Sequence, residues 1–93
     1  MAFIDDVKKH LRISTDLLDV EVQDLIDAAK ADLQLSGIPE QNVDETDPLI
    51  KRAIVVYCKA NFGYDNPDAD RLHASYDMLK KHLTLAGDYN AVE

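Results

Sequence analysis

The sequence predicts an all-α protein, a small bundle of three main helices preceded by a short N-terminal helix. Two observations predict this fold class. Apolar residues recur at helical spacing along most of the chain, and the three glycines and three prolines fall between those periodic segments, where they mark turns and helix ends. Because 93 residues are too few for two adequate cores, we expect a single domain, residues 1–93, with a short flexible tail at about 87–93.

The first predicted helix runs from about Phe3 to Leu11, with apolar residues at positions 3, 7 and 11. The second runs from about Leu18 to Ser36 and carries one continuous apolar stripe. Gly37 follows it and is the residue type that most often ends a helix. The segment where this helix should start is rich in side chains favoured at N-caps, namely Ser14, Thr15, Asp16 and Asp19.

In residues 37–46 the apolar residues do not recur at a regular spacing, so this segment is predicted to form a loop. Asp47 and Pro48 then give an N-cap followed by a first-turn proline, which predicts the start of the third helix. That helix ends near Gly63. Its apolar residues extend beyond one stripe, so we expect it to be the central helix.

Asn66-Pro67 repeats the cap-and-proline signal and predicts a fourth helix that ends at Gly87. The apolar stripes of these helices predict a shared, mostly buried core. Its members are Leu25, Ile26, Ala29, Leu49, Ala53, Ile54, Tyr57, Leu72, Tyr76 and Leu79.

Composition excludes several function classes. Ten basic against eighteen acidic residues give a net charge of −8, which disfavours a duplex-DNA binder that neutralises phosphates. No apolar run approaches the roughly 20 residues of a membrane helix, and the first twelve residues have no signal-peptide pattern, so we expect a soluble protein that is not exported.

The single cysteine, Cys58, excludes an internal disulfide and is expected to pack in the core or at an interface.

The one candidate for metal or acid–base chemistry is His73, with Asp70 and Asp77 on the same helix face. Acidic residues make up about a fifth of the chain, so we interpret the triplet as a solvated polar face. No phosphate-binding loop, calcium loop or nucleophile elbow is present. We therefore predict no enzyme activity, no catalytic residue, no cofactor and no metal site.

The basic residues occur in small groups such as Lys51-Arg52 and Lys80-Lys81, each within a turn or two of acids. Ion pairs between residues one or two helical turns apart are an adequate explanation of these basic groups. The alternative is a self-assembling ring in which a basic patch of one subunit meets an acidic patch of its neighbour.

The order of elements is recognisable as that of a known family. VKKHLRI at 7–13, LIDAA at 25–29, DPLIKRAI at 47–54 and KANFGYDNPD at 59–68 resemble, in order and spacing, the small head-tail connector proteins of tailed bacteriophages, often labelled DNA-packaging proteins. The resemblance implies a virion protein, assembled in the host cytoplasm, that forms a ring of roughly twelve subunits. The ring would lie between the portal protein and the next tail-proximal component, and DNA would pass through it without sequence-specific binding.

Two features are candidates for subunit contacts. Phe62 and Tyr64 flank Gly63 at a helix end and offer more apolar surface than a tight turn requires, although core packing explains them equally well. Tyr89 and Val92 could anchor the tail to a neighbouring subunit or to the portal. The alternative function is a cytoplasmic helical adaptor that binds one partner protein as a monomer or dimer.

Overall fold

The computed structural model describes residues 3–63 and 66–85, and within them the chain forms four α-helices, a single turn of 3₁₀ helix and no strand. The predicted all-α class is confirmed. The α-helices are α1 (Phe3–Leu11), α2 (Asp19–Leu35), α3 (Pro48–Asn61) and α4 (Ala69–Leu85). The 3₁₀ turn, Glu40–Asn42, lies inside the segment predicted as a loop.

Two of the predicted helix boundaries have the expected geometry. At the end of α2, Gly37 adopts a φ of 116°, and the amides of Gly37 and Ile38 donate to the carbonyls of Gln34 and Leu33. This Schellman motif needs a left-handed residue, which glycine supplies without a side-chain clash. At the start of α3, one carboxylate oxygen of Asp47 accepts hydrogen bonds from the Leu49 and Ile50 amides, at 2.9 and 3.3 Å.

The predicted N-cap of α2 is wrong. Leu18 occupies the cap position, and no side chain caps the helix. Thr15 instead accepts a hydrogen bond from the Leu17 amide, while the Asp16 and Asp19 carboxylates both lie against the ammonium group of Lys8. A full positive charge competes better for a carboxylate than a backbone amide does.

The start of α4 also differs from the prediction. Asn66 and Pro67 lie in the turn that precedes the helix, which begins at Ala69. The Asn66 side chain accepts a hydrogen bond from the Asp68 amide and donates one to the Lys59 carbonyl, at 3.0 and 2.7 Å. Asn66 therefore closes the connection between α3 and α4.

The core is centred on α3, as predicted. This helix packs against α1, α2 and α4, and it buries side chains on several faces. The predicted core residues are buried or half-buried against the core, with Leu49 as the exception at 50% exposure. Leu49 shares a side of α3 with buried Ala53 and Val56, but in the first turn it is the adjacent residue, Ile50, that is fully buried, so the neighbouring helices cover the Ile50 side of that turn.

A left-handed residue ends α1. Arg12 has a φ of 61°, and the amides of Arg12 and Ile13 donate to the carbonyls of Lys9 and Lys8. This is the same motif that Gly37 completes at the end of α2. Arg12 therefore occupies a backbone conformation that disfavours side chains and is usually left to glycine.

Candidate functional site

The polar triplet on α4 has no metal-binding geometry. Asp70, His73 and Asp77 are all exposed, and Asp77 lies 4.0 Å from the ammonium group of Lys80. Within residues 3–63 and 66–85, no group of three or more His, Cys, Asp or Glu side chains is placed to hold a metal ion. The triplet forms a solvated helix face.

Cys58 lies in the core of α3 with none of its surface exposed. Burial raises the pKa of its thiol to about 12, because an apolar environment disfavours the thiolate. The thiolate is the reactive form of cysteine, so Cys58 is a packing residue rather than a nucleophile.

A polar cluster joins α4 to α2. The Tyr76 hydroxyl donates a 2.6 Å hydrogen bond to the Asp32 carboxylate, and the Lys80 ammonium lies 3.1 Å from the same oxygen. Partial burial alone would raise the pKa of Asp32, but these two donors outweigh it and the pKa lies below its usual value. Burial, followed by the Asp32 hydrogen bond, raises the pKa of Tyr76. Tyr57 packs edge-on against the Tyr76 ring with centroids 5.1 Å apart.

A buried lysine joins α1 to the start of α2. The Lys8 ammonium lies 2.7 Å from Asp19 and 3.0 Å from Asp16. Hydrogen bonding to Asp19 and then to Asp16 raises the pKa of Lys8. These contacts hold the α1–α2 connection against the bundle.

One side of α2 is fully exposed and lies opposite the core. We call it the α2 outer face, and it consists of Val20, Asp24, Asp27, Ala31 and Leu35. Val20 and Leu35, near its two ends, are 77% and 87% exposed. Covering Val20 and Leu35 with a partner protein would remove apolar surface from water, which makes this face a candidate contact surface.

A second open surface runs between α1 and α3. We call it the basic groove. Its basic side chains are His10, Arg12, Lys51, Arg52 and Lys59, and among the described residues it has one acidic side chain, Asp68. His10 lies where the two halves of the groove meet, and Val55 forms part of its floor.

The basic groove holds most of the Lys and Arg side chains that have no ion pair in the described part of the chain. Of the ten Lys and Arg residues, five have no ion pair in the described part of the chain, and three of these five line the groove. The acidic residue at its α4 end, Asp68, pairs with Arg71 at 3.6 Å. Lys51, beside Arg52, pairs with Asp6 at 3.3 Å. The groove thus keeps a net positive charge on a protein of net charge −8.

The predicted contact residues fall in two groups. Phe62 is half-buried, packs against the core and also lines the basic groove next to Lys59. Tyr64, Tyr89 and Val92 lie outside the described residues. The interface role of all four stays a prediction.

Comparison with known protein families decides the identity of this small helical chain. A family model described as phage connector protein matches residues 3–90. The chain belongs to the phage connector protein family. The family resemblance predicted from the sequence is confirmed, and the connector is a structural head-tail component of the virion that interacts with other head or tail proteins. No curated protein and no solved structure matches the chain.

The family of the connector is one of structural proteins, not of enzymes. No helix in residues 3–63 and 66–85 has the length and hydropathy needed to cross a bilayer. The connector presents two open surfaces, the α2 outer face and the basic groove.

Sequence reasoning missed both open surfaces of the connector. The α2 outer face can be found in the sequence, because it consists of helix positions that do not belong to the apolar stripe. Val20 and Leu35 are apolar residues at two such positions. The basic groove had no such signal, because it joins residues about 40 positions apart on α1 and α3. Only the packing of the two helices brings them together.

Proposed function

We propose that the chain is the subunit of a ring that lies between the portal and the next tail-proximal component, and that DNA passes through its centre. The observation that carries the proposal is membership of the phage connector family over residues 3–90. A ring of roughly twelve copies would be closed by repeating one head-to-tail contact around the axis.

The surface of the protein supports an assembled state. Leu17, Val20 and Leu35 are 77–90% exposed, and burying them in a neighbour would be favourable. The net charge of −8 also suits a conduit, because an acidic wall repels the phosphate backbone and lets DNA pass without adhering.

Removing the chain tests this function directly. In a phage that cannot make the protein, we expect DNA-filled heads and complete tails to accumulate without joining, and supplying the protein should restore infectious particles. A normal yield of infectious particles without the protein would refute the proposal.

Mass measurement tests the ring. The purified chain mixed with its portal should give a complex with many copies of the chain per portal ring, and the free chain can remain monomeric until that template is present. One or two copies per portal would instead favour the adaptor function.

The contact residues predicted from the sequence have their own tests. Tyr64→Ser should leave the protein folded and block its incorporation into heads, whereas unfolding of the variant would indicate core packing. Truncation after Ala86, which removes Tyr89 and Val92, should preserve helicity and prevent head-tail joining. Full infectivity of the truncated form would exclude a necessary role for the tail.

A further inference from the structure

We infer that neighbouring copies of this chain contact each other through the basic groove of one copy and the α2 outer face of the next. The inference rests on the proposed ring and specifies which two surfaces form it. The two surfaces belong to different parts of the molecule, so the contact is heterologous and can repeat from copy to copy.

Charge is the first argument. The α2 outer face presents Asp24 and Asp27, with exposed Glu21 beside them, and it contains no basic residue. Gln23 donates a 3.0 Å hydrogen bond to Asp27. The glutamine side chain is neutral, so the negative charge of Asp27 is not compensated by this contact. The basic groove presents Arg12, Arg52 and Lys59 without ion pairs in the described part of the chain. Opposite charges on the two surfaces favour a head-to-tail contact and oppose like-to-like contacts.

The charged part of the α2 outer face fits within the row of cations in the basic groove. Arg52 and Lys59 are seven residues apart on α3, which corresponds to about 10 Å along a helix axis. Asp24 and Asp27, the two carboxylates of the α2 outer face, are three residues apart on α2, or about 4.5 Å. Both carboxylates can therefore lie between the two cations without either helix bending.

Apolar surface is the second, independent argument. The carboxylates of the α2 outer face lie between Val20 and Leu35, which are among the most exposed large apolar residues of the protein. The basic groove has half-buried Phe62 at its α4 end and exposed Pro48 at its other end. An apolar contact at each end with charges between them would exclude water from the ion pairs and strengthen them.

DNA is the competing occupant of a basic groove. Three cations without ion pairs in residues 3–63 and 66–85, on a chain of net charge −8, give a weak site for a polyanion, because the remaining acidic surface repels it. DNA would also leave the exposed apolar residues of α2 without a partner. The observations favour a second copy of the chain.

Zero-length carbodiimide cross-linking of intact particles tests the contact in the native protein. The reagent joins a carboxylate to an amine in direct contact, with loss of water. We expect denaturing gels to show multiples of the chain, with an amide between Lys59 and Asp24 or Asp27 identified by mass spectrometry. Lys59→Arg is the matched control, since it keeps the charge and assembly but should lose this cross-link.

Charge reversal gives the quantitative test. Arg52→Glu and Asp24→Lys, separately, should weaken assembly at least about tenfold, and the double variant should recover most of the loss. The controls Lys81→Glu and Glu40→Lys make the same charge changes at exposed positions outside both surfaces and should have little effect. Circular dichroism should show every variant folded.

The outcomes separate this inference from the proposed function. Infectious particles that contain the chain but lack the Lys59 cross-link would overturn the inference and leave the ring function standing. If Arg52→Glu weakens DNA binding at least about tenfold more than the control Lys81→Glu does, the groove binds DNA and the inference is wrong. If the particles do not contain the chain, the proposed function fails, and cross-linking of the concentrated purified chain decides the contact by itself.

Discussion

Replacing Tyr76 with phenylalanine removes one oxygen atom from the polar cluster between α2 and α4. The lost interaction is a 2.6 Å hydrogen bond to the ionised Asp32. Hydrogen bonds to charged groups contribute about 1.5–3 kcal/mol. Asp32 keeps Lys80 and its side chain is 35% exposed, so water can replace part of the loss and the lower end of that range applies.

We therefore expect Tyr76→Phe to lower the free energy of unfolding by about 1.5 kcal/mol at pH 7. With a urea dependence of about 1 kcal/mol/M, the midpoint of urea unfolding should fall by about 1.5 M. Tyr57→Phe is the matched control. Its ring lies 5.1 Å from that of Tyr76, and its hydroxyl makes no hydrogen bond in the described part of the chain. The control should change the midpoint by less than about 0.5 M.

The effect should depend on pH with a defined sign. The pKa of Asp32 is lower in the folded state than its usual value of 3.8, so its hydrogen bonds stabilise the protein at pH values above that. The contribution is lost as the pH falls through the folded-state pKa. The difference between wild type and Tyr76→Phe should be complete at pH 7 and should shrink below about pH 4. A difference that is constant with pH, or an equal loss in Tyr57→Phe, would refute this reasoning.

Four further predictions follow from single residues. Ile54→Ala should cost about 2–5 kcal/mol in urea unfolding, because Ile54 is fully buried at the centre of α3, and a loss under about 0.5 kcal/mol would show that its surroundings collapse or face solvent. Asp47→Ala should cost about 1 kcal/mol by removing the acceptor for two first-turn amides, while Asp47→Asn should retain most of the stability. Arg12→Gly should raise stability by about 0.5–1 kcal/mol by relieving the left-handed backbone at φ 61°, yet weaken assembly by removing a groove cation; a loss of stability would contradict the strain argument. The Cys58 thiol should react with a thiol reagent only in denaturant, and rapid reaction of the folded protein at pH 8 would show that the core opens readily.

Local signals in the sequence predicted much of this fold. Asp47 and Pro48 start α3 by interactions with the next few residues, and Gly37 ends α2 in the same local way. Such features depend on residues at most five positions apart, so periodicity and cap chemistry are sufficient to find them. The central position of α3 followed from its apolar residues on several faces.

The errors come from contacts between distant residues. The cap at the start of α2 was mispredicted because Asp16 and Asp19 pair with Lys8, on another helix. Leu49 has the spacing of a core residue, but in its turn of α3 the neighbouring helices cover Ile50 instead. The basic groove likewise exists only because α1 lies along α3. None of these arrangements can be read from the spacing of residues along one helix.

The two carboxylates around Lys8 couple the folding of α1 to that of the start of α2. A helix of nine residues is too short to persist by itself in water, so α1 depends on tertiary contacts. The first turn of α2, in turn, has no side-chain cap and is held from outside through the same ammonium group. Each segment supplies what the other lacks. The two therefore form and open together as one cooperative unit, and the exposed apolar residues at the start of α2 become correctly placed only when that unit has closed.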